Sequence, residues 1–440
     1  MSSRRGRALS QGLVPLLLVT GAWGGGAEKT GGEEPVERGP DVPVVIDPGA
    51  PIVVGVSAPI TGPDAVAGTE DRDAAVVAVE RWKEENGRRI KGHDIEVSVE
   101  DDGCTETDVA AEAARRFADQ PAVVGVVGPD CSAGVEEALP IYADAGITTV
   151  AGATTRSDLT TNQPPGGFFF RTAYRNDLEG LLIGLFVSFD LGATNAYLID
   201  DGEAYGQDLA DSAQGIMERN GVAVTRASIE RGTVDFRDLV QRVVSDDPAV
   251  VGFMGFNPEA ALLYRQLRDG GFEGVFGAGD AAATPEFIDA AGERAEGVLF
   301  AGCQLQLRKG FVSDFVALHG HRPGASPFTA QQADAMTILL NAIAEVAEER
   351  PDGSLVIRPT ELRDAVRAGG LRDGVSGSFS FDANGDRVPP DGTPLPEFVE
   401  AALARQDTSA FVDLGLVPCQ VQDGELINLI GPGAEPITPS

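Results

Sequence analysis

Three short stretches of this chain carry residues whose types and spacing suit ligand chemistry. Asp101-Asp102-Gly103-Cys104 and Gly128-Pro129-Asp130-Cys131-Ser132 each contain a cysteine, and Gly152-Ala153-Thr154-Thr155 follows them. A cysteine pair fixing two strand-end loops, with hydroxyls and glycines beside it, suits holding a small polar ligand rather than transforming one. Ser132 ends a strand and opens a helix, where free N–H groups attract an anion and the hydroxyl adds a donor. Thr155 offers a second hydroxyl, and Ala153 a backbone carbonyl and N–H. Together they suit a carboxylate. The plainer alternatives are that Ser132 only caps its helix and Thr155 only makes a turn. In Gly277-Ala278-Gly279-Asp280, the aspartate follows a strand and either receives an ammonium group or caps the next helix. Tyr205 and Phe256 stand at the tops of two more strands, placed to wall a pocket or simply to pack helix on strand.

Catalytic signatures are poor. The histidines are His93, His319 and His321, and His319-Gly320-His321 lies in a Gly/Pro-rich loop with no cysteine or carboxylate at metal-ligand spacing. There is no phosphate-cradling loop ending in Lys-Ser/Thr and no Gly-x-Ser-x-Gly elbow. Asp101 and Asp102 are neighbours at a strand end, so their side chains point apart and make a poor acid–base couple. The expectation is a binding protein, not an enzyme, with no metal and no cofactor.

The 440 residues hold 34 Lys and Arg against 68 Asp and Glu, a formal charge of −34. Such a chain is repelled by phosphate backbones, so no nucleic-acid partner is expected. The charge reads as a solvated surface that favours solubility. Arg4, Arg5 and Arg7, the apolar run from Gly12 to Thr20 and the small residues that follow read as an export signal over 1–27. Its apolar core is too short to span a bilayer. Leu18-Val19-Thr20-Gly21-Ala22 resembles a lipobox, but Trp23 stands where the acceptor cysteine would be, so a lipid anchor cannot form there. Residues 28–51, rich in Gly, Glu and Pro, read as a disordered tether. An exported, oxidising location, periplasmic or at the cell surface, allows four cysteines to make two disulfides. Spacing favours Cys104–Cys131, a closure contributing roughly 3–4 kcal/mol in the chain-entropy treatment. Cys303 and Cys419 then either pair, tying the C-terminal segment to the body, or remain as buried thiols.

The elements that must position these residues alternate regularly. Ile52 to Val56 is a continuous β-branched run suited to a strand buried on both faces. Asp71 to Glu85 has helical periodicity, Ile95 to Val99 is a strand, Val109 to Ala118 a helix, Val123 to Val127 a strand, Ala133 to Ala145 a helix and Thr148 to Ala151 a strand. The rhythm restarts after Phe170-Arg171-Thr172, with strands from Asn195, Val222, Val250, Val275 and Gly297. Long helices follow at Ala330 to Glu348 and Pro359 to Ala368. Repeated β-α-β predicts an α/β fold of two doubly wound lobes with mainly parallel sheets. Ligands in such sheets sit beyond the carboxyl ends of the strands, hence here in the cleft between the lobes.

In this order and spacing, the motifs resemble the leucine/isoleucine/valine-binding proteins, the type I periplasmic substrate-binding components of ATP-binding-cassette (ABC) transporters. The resemblance runs from about Ile52 to Arg387. It is carried by Ala58-Pro59-Ile60-Thr61-Gly62-Pro63, the two cysteine motifs, Gly152 to Thr155 with Asp158-Leu159-Thr160, Phe170-Arg171-Thr172, Tyr205-Gly206 and Gly377-Ser378-Phe379-Ser380-Phe381-Asp382. It implies a three-segment hinge, crossing near Thr172, Cys303 and Gly370. Lobe 1 would then comprise 52–172 plus 304–370, and lobe 2 173–303 plus 371–420, with a C-terminal tail at 421–440. It also implies that Ser132, Ala153 and Thr155 hold an α-carboxylate, that Asp280 holds the α-ammonium, and that Tyr205 and Phe256 close over the ligand. The family's disulfide maps to Cys104–Cys131. Ala67 stands where the branched-chain binders have a tyrosine over the side chain, and Phe256 lacks the hydroxyl of the family's tyrosine. These departures imply a changed side-chain pocket, and the wider family also takes urea- and amide-type ligands. The implied function is capture of an amino acid or similar zwitterion by a monomer that delivers it to a membrane permease. A sensory module reporting to a receptor or kinase is the alternative.

Overall fold

Side-chain alternation along the strands decides which helices cover which face. The computed structural model describes residues 36–163, 167–405 and 409–430, so the export signal read at 1–27 lies outside the described residues. In the first lobe, β1 (Ile52–Ala58), α1 (Ala65–Asn86), β2 (Ile95–Asp101), α2 (Thr107–Ala118), β3 (Val123–Val127), α3 (Ser132–Asp144), β4 (Thr148–Ala151) and β5 (Phe169–Arg171) follow in sequence. The strands form a parallel sheet in the order β2-β1-β3-β4-β5. On one face Val54, Val56, Val124 and Val150 meet α1 through Ala75, Val79 and Trp82. On the other, Val123 and Val126 meet Phe117 of α2 and Tyr142 of α3. Burying such a large apolar side chain contributes about 1.5–3 kcal/mol each.

The second lobe runs through α4 (Asn176–Leu185), β6 (Asn195–Asp200), α5 (Ala204–Arg219), β7 (Ala223–Ser228), α6 (Arg237–Asp246), β8 (Val250–Met254), α7 (Glu259–Asp269), β9 (Val275–Ala278), α8 (Pro285–Ala291) and β10 (Leu299–Phe300). Period-two alternation is plain in β6. Ala196 and Leu198 face α5, while Tyr197 and Ile199 face α6 and α7. The chain then returns to the first lobe with α9 (Lys309–His319), α10 (Thr329–Val346) and α11 (Pro359–Ala368), and α10 packs against α1.

Three segments differ from the sequence reading. Val44–Ile46 is a strand paired antiparallel with Leu355–Ile357, and Arg38 donates to the Val123 carbonyl at 2.7 Å. Residues 36–51 are therefore packed rather than a disordered tether, because Val44 and Ile46 alternate inward. The third crossing does not fall at Gly370. Strands β11 (Gly370–Gly374), β12 (Gly377–Phe381) and β13 (Arg387–Val388) form an antiparallel sheet whose Leu371, Phe379 and Phe381 join the first lobe's core. The expected tail begins instead as a hairpin, β14 (Cys419–Gln422) and β15 (Glu425–Asn428), added antiparallel to the edge of the second sheet. That sheet reads β15-β14-β10-β9-β8-β6-β7.

Both cysteine pairs are joined, Cys104 to Cys131 and Cys303 to Cys419. The first ties the loop after β2 to the loop before α3. The second ties the hairpin to the strand beside it.

Candidate functional site

One cavity of about 80 Å³ lies between the lobes, and every residue singled out from sequence for ligand contact lines it. Ser132, Ala153, Thr155 and Ala67 come from the first lobe; Tyr205, Phe256 and Asp280 come from the second. Each except Ala67 follows the carboxyl end of a strand, where backbone N–H and C=O groups leave the ladder and become free for a ligand. Ala67 is on the first turn of α1.

The first-lobe wall is braced by carboxylates. Asp102 accepts the N–H groups of Cys104 and Asp130, each at 3.1 Å, and so links the two disulfide-bonded loops. Burial lifts its carboxyl to about 6. Asp101 instead accepts from Ile60 and Gly103, so the pair acts as two separate loop braces. Gly128 has φ +108°, and a Cβ there would run into the Ser57 carbonyl, so only glycine lets this loop close over β1. Ser132 is the first helical residue of α3, after Cys131 in extended conformation, and it is not the capping residue. Its hydroxyl accepts the Arg156 N–H at 3.2 Å. Thr155 is buried, and its carbonyl accepts the Asn176 N–H at 2.7 Å.

The second-lobe wall centres on Asp280. Its carboxylate accepts the Tyr174 hydroxyl at 2.8 Å, and its N–H donates to Glu179 at 3.0 Å. It opens a short 3₁₀ turn, while Gly279 holds the capping position. Burial raises the Asp280 carboxyl, and donors on Tyr205, Tyr174 and Glu179 pull it back. Burial and the Asp280 charge push Glu179 well up. Burial pushes Tyr174 and Tyr205 well up too, which keeps both as hydroxyl donors. The Tyr205 and Phe256 rings lie 5.3 Å apart and form one aromatic wall.

The lobes touch across the cleft. Arg231 Nη2 donates to Asp64 Oδ1 at 2.7 Å and Oδ2 at 2.8 Å, and its guanidinium lies 4.2 Å from the Phe256 ring centre. Ser157 donates to Asp208 through both its N–H and its hydroxyl, at 2.9 Å. Glu70 of α1 accepts the N–H groups of Gly324, Ala325 and Ser326, holding the segment that brings Ser326 and Phe328 to the cavity.

Sequence reasoning did not single out Asp64, Asp71, Asp130, Arg231, Tyr174, Glu179 or Phe328. Asp130 stands inside a motif that was read for its cysteine and serine, and its own carboxyl went unweighed. Arg231 follows β7 in a loop with no motif. Arg171, by contrast, is not a ligand group. It is fully buried and pairs with Asp386 at 2.6 Å, joining β5 to the antiparallel sheet.

Residues 51–392 match the family model described as periplasmic binding protein. The chain belongs to this family. Among its relatives is an amino acid binding protein of Pseudomonas aeruginosa, 33% identical over 233 residues, or 53% of this chain and 61% of the relative. The chain thus spans less than two thirds of that relative's length. A leucine-, isoleucine-, valine-, threonine- and alanine-binding protein of the same organism is 26% identical over 334 residues, covering 74% of this chain and 84% of its own. A solved leucine-binding protein of Thermotoga maritima superposes with a TM-score of 0.70 at 24% identity, over 86% of this chain and 97% of that one. A periplasmic binding protein is a solute-binding fold with paired α/β lobes, as described above. Among the described residues, no helix is long and apolar enough to cross a membrane.

Proposed function

We propose that this protein captures an α-amino acid or a closely similar zwitterion in the interlobe cavity and delivers it to the permease of an ABC importer. The observation that carries the reading is the division of chemistry across the cleft. Hydroxyls and a helix N-terminus from one lobe face an aspartate from the other. The first set suits a carboxylate and the second an ammonium group, and both line one cavity. A ligand that touches both lobes stabilises the closed arrangement over an open one. Relatives named as amino acid binding proteins support the same head group. Export of a monomer to the periplasm or cell surface belongs to this proposal.

Thermal-shift measurements on purified protein with L-amino acids, amides and short carboxylates test it. At a hundredfold excess over Kd, a ligand of the native state adds about 2.7 kcal/mol, which raises Tm by a few degrees. At least one amino acid is expected to do so, and Asp280→Ala is expected to abolish the effect. No shift with any amino acid would defeat the proposal, and an undiminished shift in Asp280→Ala would refute the ammonium assignment.

A further inference from the structure

Four aspartates line the cavity, Asp64, Asp71, Asp130 and Asp280, and no Lys, Arg or His is among its lining residues. Two are accounted for. Asp64 is neutralised by Arg231, and Asp280 faces the ammonium group in the reading above. Asp71 and Asp130 are left over. They are 4% and 5% exposed, so both are more than nine-tenths buried. Asp71 Oδ1 and Asp130 Oδ2 have no hydrogen-bond partner among the described residues. The other Asp130 oxygen accepts from Gln332, which fixes the direction of its carboxyl. Burying carboxylate oxygens without donors is costly, and the Ser326 hydroxyl beside Asp71 and the Gln332 amide on Asp130 leave one oxygen of each unpartnered.

We propose that the cavity takes an α-amino acid whose side chain ends in a cationic nitrogen group, a diamino or guanidino carboxylic acid, with Asp71 and Asp130 receiving that group. The inference rests on the head-group assignment above and adds the side chain. A terminal ammonium or guanidinium brings several donors and a positive charge to the two unpartnered oxygens. Ala67, one turn before Asp71 on α1, is small and lines the same cavity. Burial, together with the neighbouring charges of Glu70, Asp71 and Asp102, pushes both carboxyls well up. A bound cation reverses that balance and draws both into the ionised state. An aliphatic side chain would instead leave the oxygens dry and unpaired.

Isothermal titration with matched pairs separates these cases: L-ornithine against L-norvaline, L-lysine against L-norleucine, and L-arginine against L-citrulline. In at least one pair the cationic member is expected to bind about 30-fold tighter or more, the discrimination of a buried charge pair. Asp130→Asn, which keeps the shape of the side chain, is expected to remove most of that gap. Asp130→Leu is expected to invert the preference. Equal affinity within all three pairs overturns the inference and leaves the head-group reading standing. Failure of every amino acid to bind overturns the head-group reading itself. The wild-type comparison decides the matter even if a variant fails to fold.

Discussion

At the scale of single residues, Asp280 is fixed by its neighbours. Gly302 lies so close that a Cβ there would overlap the Tyr174 hydroxyl and press on Asp280. Gly302→Ala is expected to displace Tyr174 and weaken amino-acid affinity by about tenfold, the loss of one hydrogen bond to a charged group, with little change in secondary structure by circular dichroism. Asp201 carries a different consequence. It braces the second-lobe wall by accepting from Glu203 at 3.1 Å and Phe256 at 3.2 Å, and burial pushes its carboxyl from 3.8 up to about 7. An acid whose folded value is raised contributes stability that is present below the unfolded value and lost as pH rises through the folded one. Wild-type stability relative to Asp201→Asn should therefore fall between about pH 4 and pH 7, which denaturant melts at a series of pH values would read. The residues most legible in sequence were those just after strands, namely Ser132, Thr155, Tyr205, Phe256 and Asp280. Asp64, Asp71 and Arg231 were not, because helix periodicity and loop position say nothing about which turn faces across a cleft.

At the scale of elements, regular β-α-β repeats were readable because each strand is a short β-branched or apolar run and each helix keeps its periodicity. Those signals fail for short strands. Cys419–Gln422 and Glu425–Asn428 have four residues each and half-polar patterns, yet they extend the second sheet. A crossing was read near Gly370 with 371–420 in the second lobe, but Leu371, Phe379 and Phe381 give this segment a buried face on the first lobe. The hairpin is held by Cys303–Cys419, which closes a loop with a separation of 116 residues. Replacing both cysteines by alanine is expected to cost roughly 3–5 kcal/mol, read as a lower Tm. An unchanged Tm would mean that packing of Val421 and Leu426 against the second core already fixes the hairpin.

At the scale of the whole molecule, the proposed function requires the two lobes to close on each other, and Asp64–Arg231 is an ion pair between them. Both side chains are mostly buried, so salt screens the pair weakly. Arg231→Ala leaves Asp64 unpaired in the closed form and is expected to weaken affinity about 10- to 100-fold, chiefly through faster release. Stopped-flow dissociation would read this, and small-angle scattering should show that the variant still contracts when ligand is saturating. The central claim is that one molecule spans the cleft with its carboxylate on Ser132 and Thr155 and its ammonium group on Asp280. Calorimetric titration of the tightest-binding amino acid beside its methyl ester and its N-acetyl derivative tests this most directly. Each derivative removes one charge, and each is expected to lose about 100-fold or more in affinity. An N-acetyl derivative that binds as well as the free amino acid would contradict it.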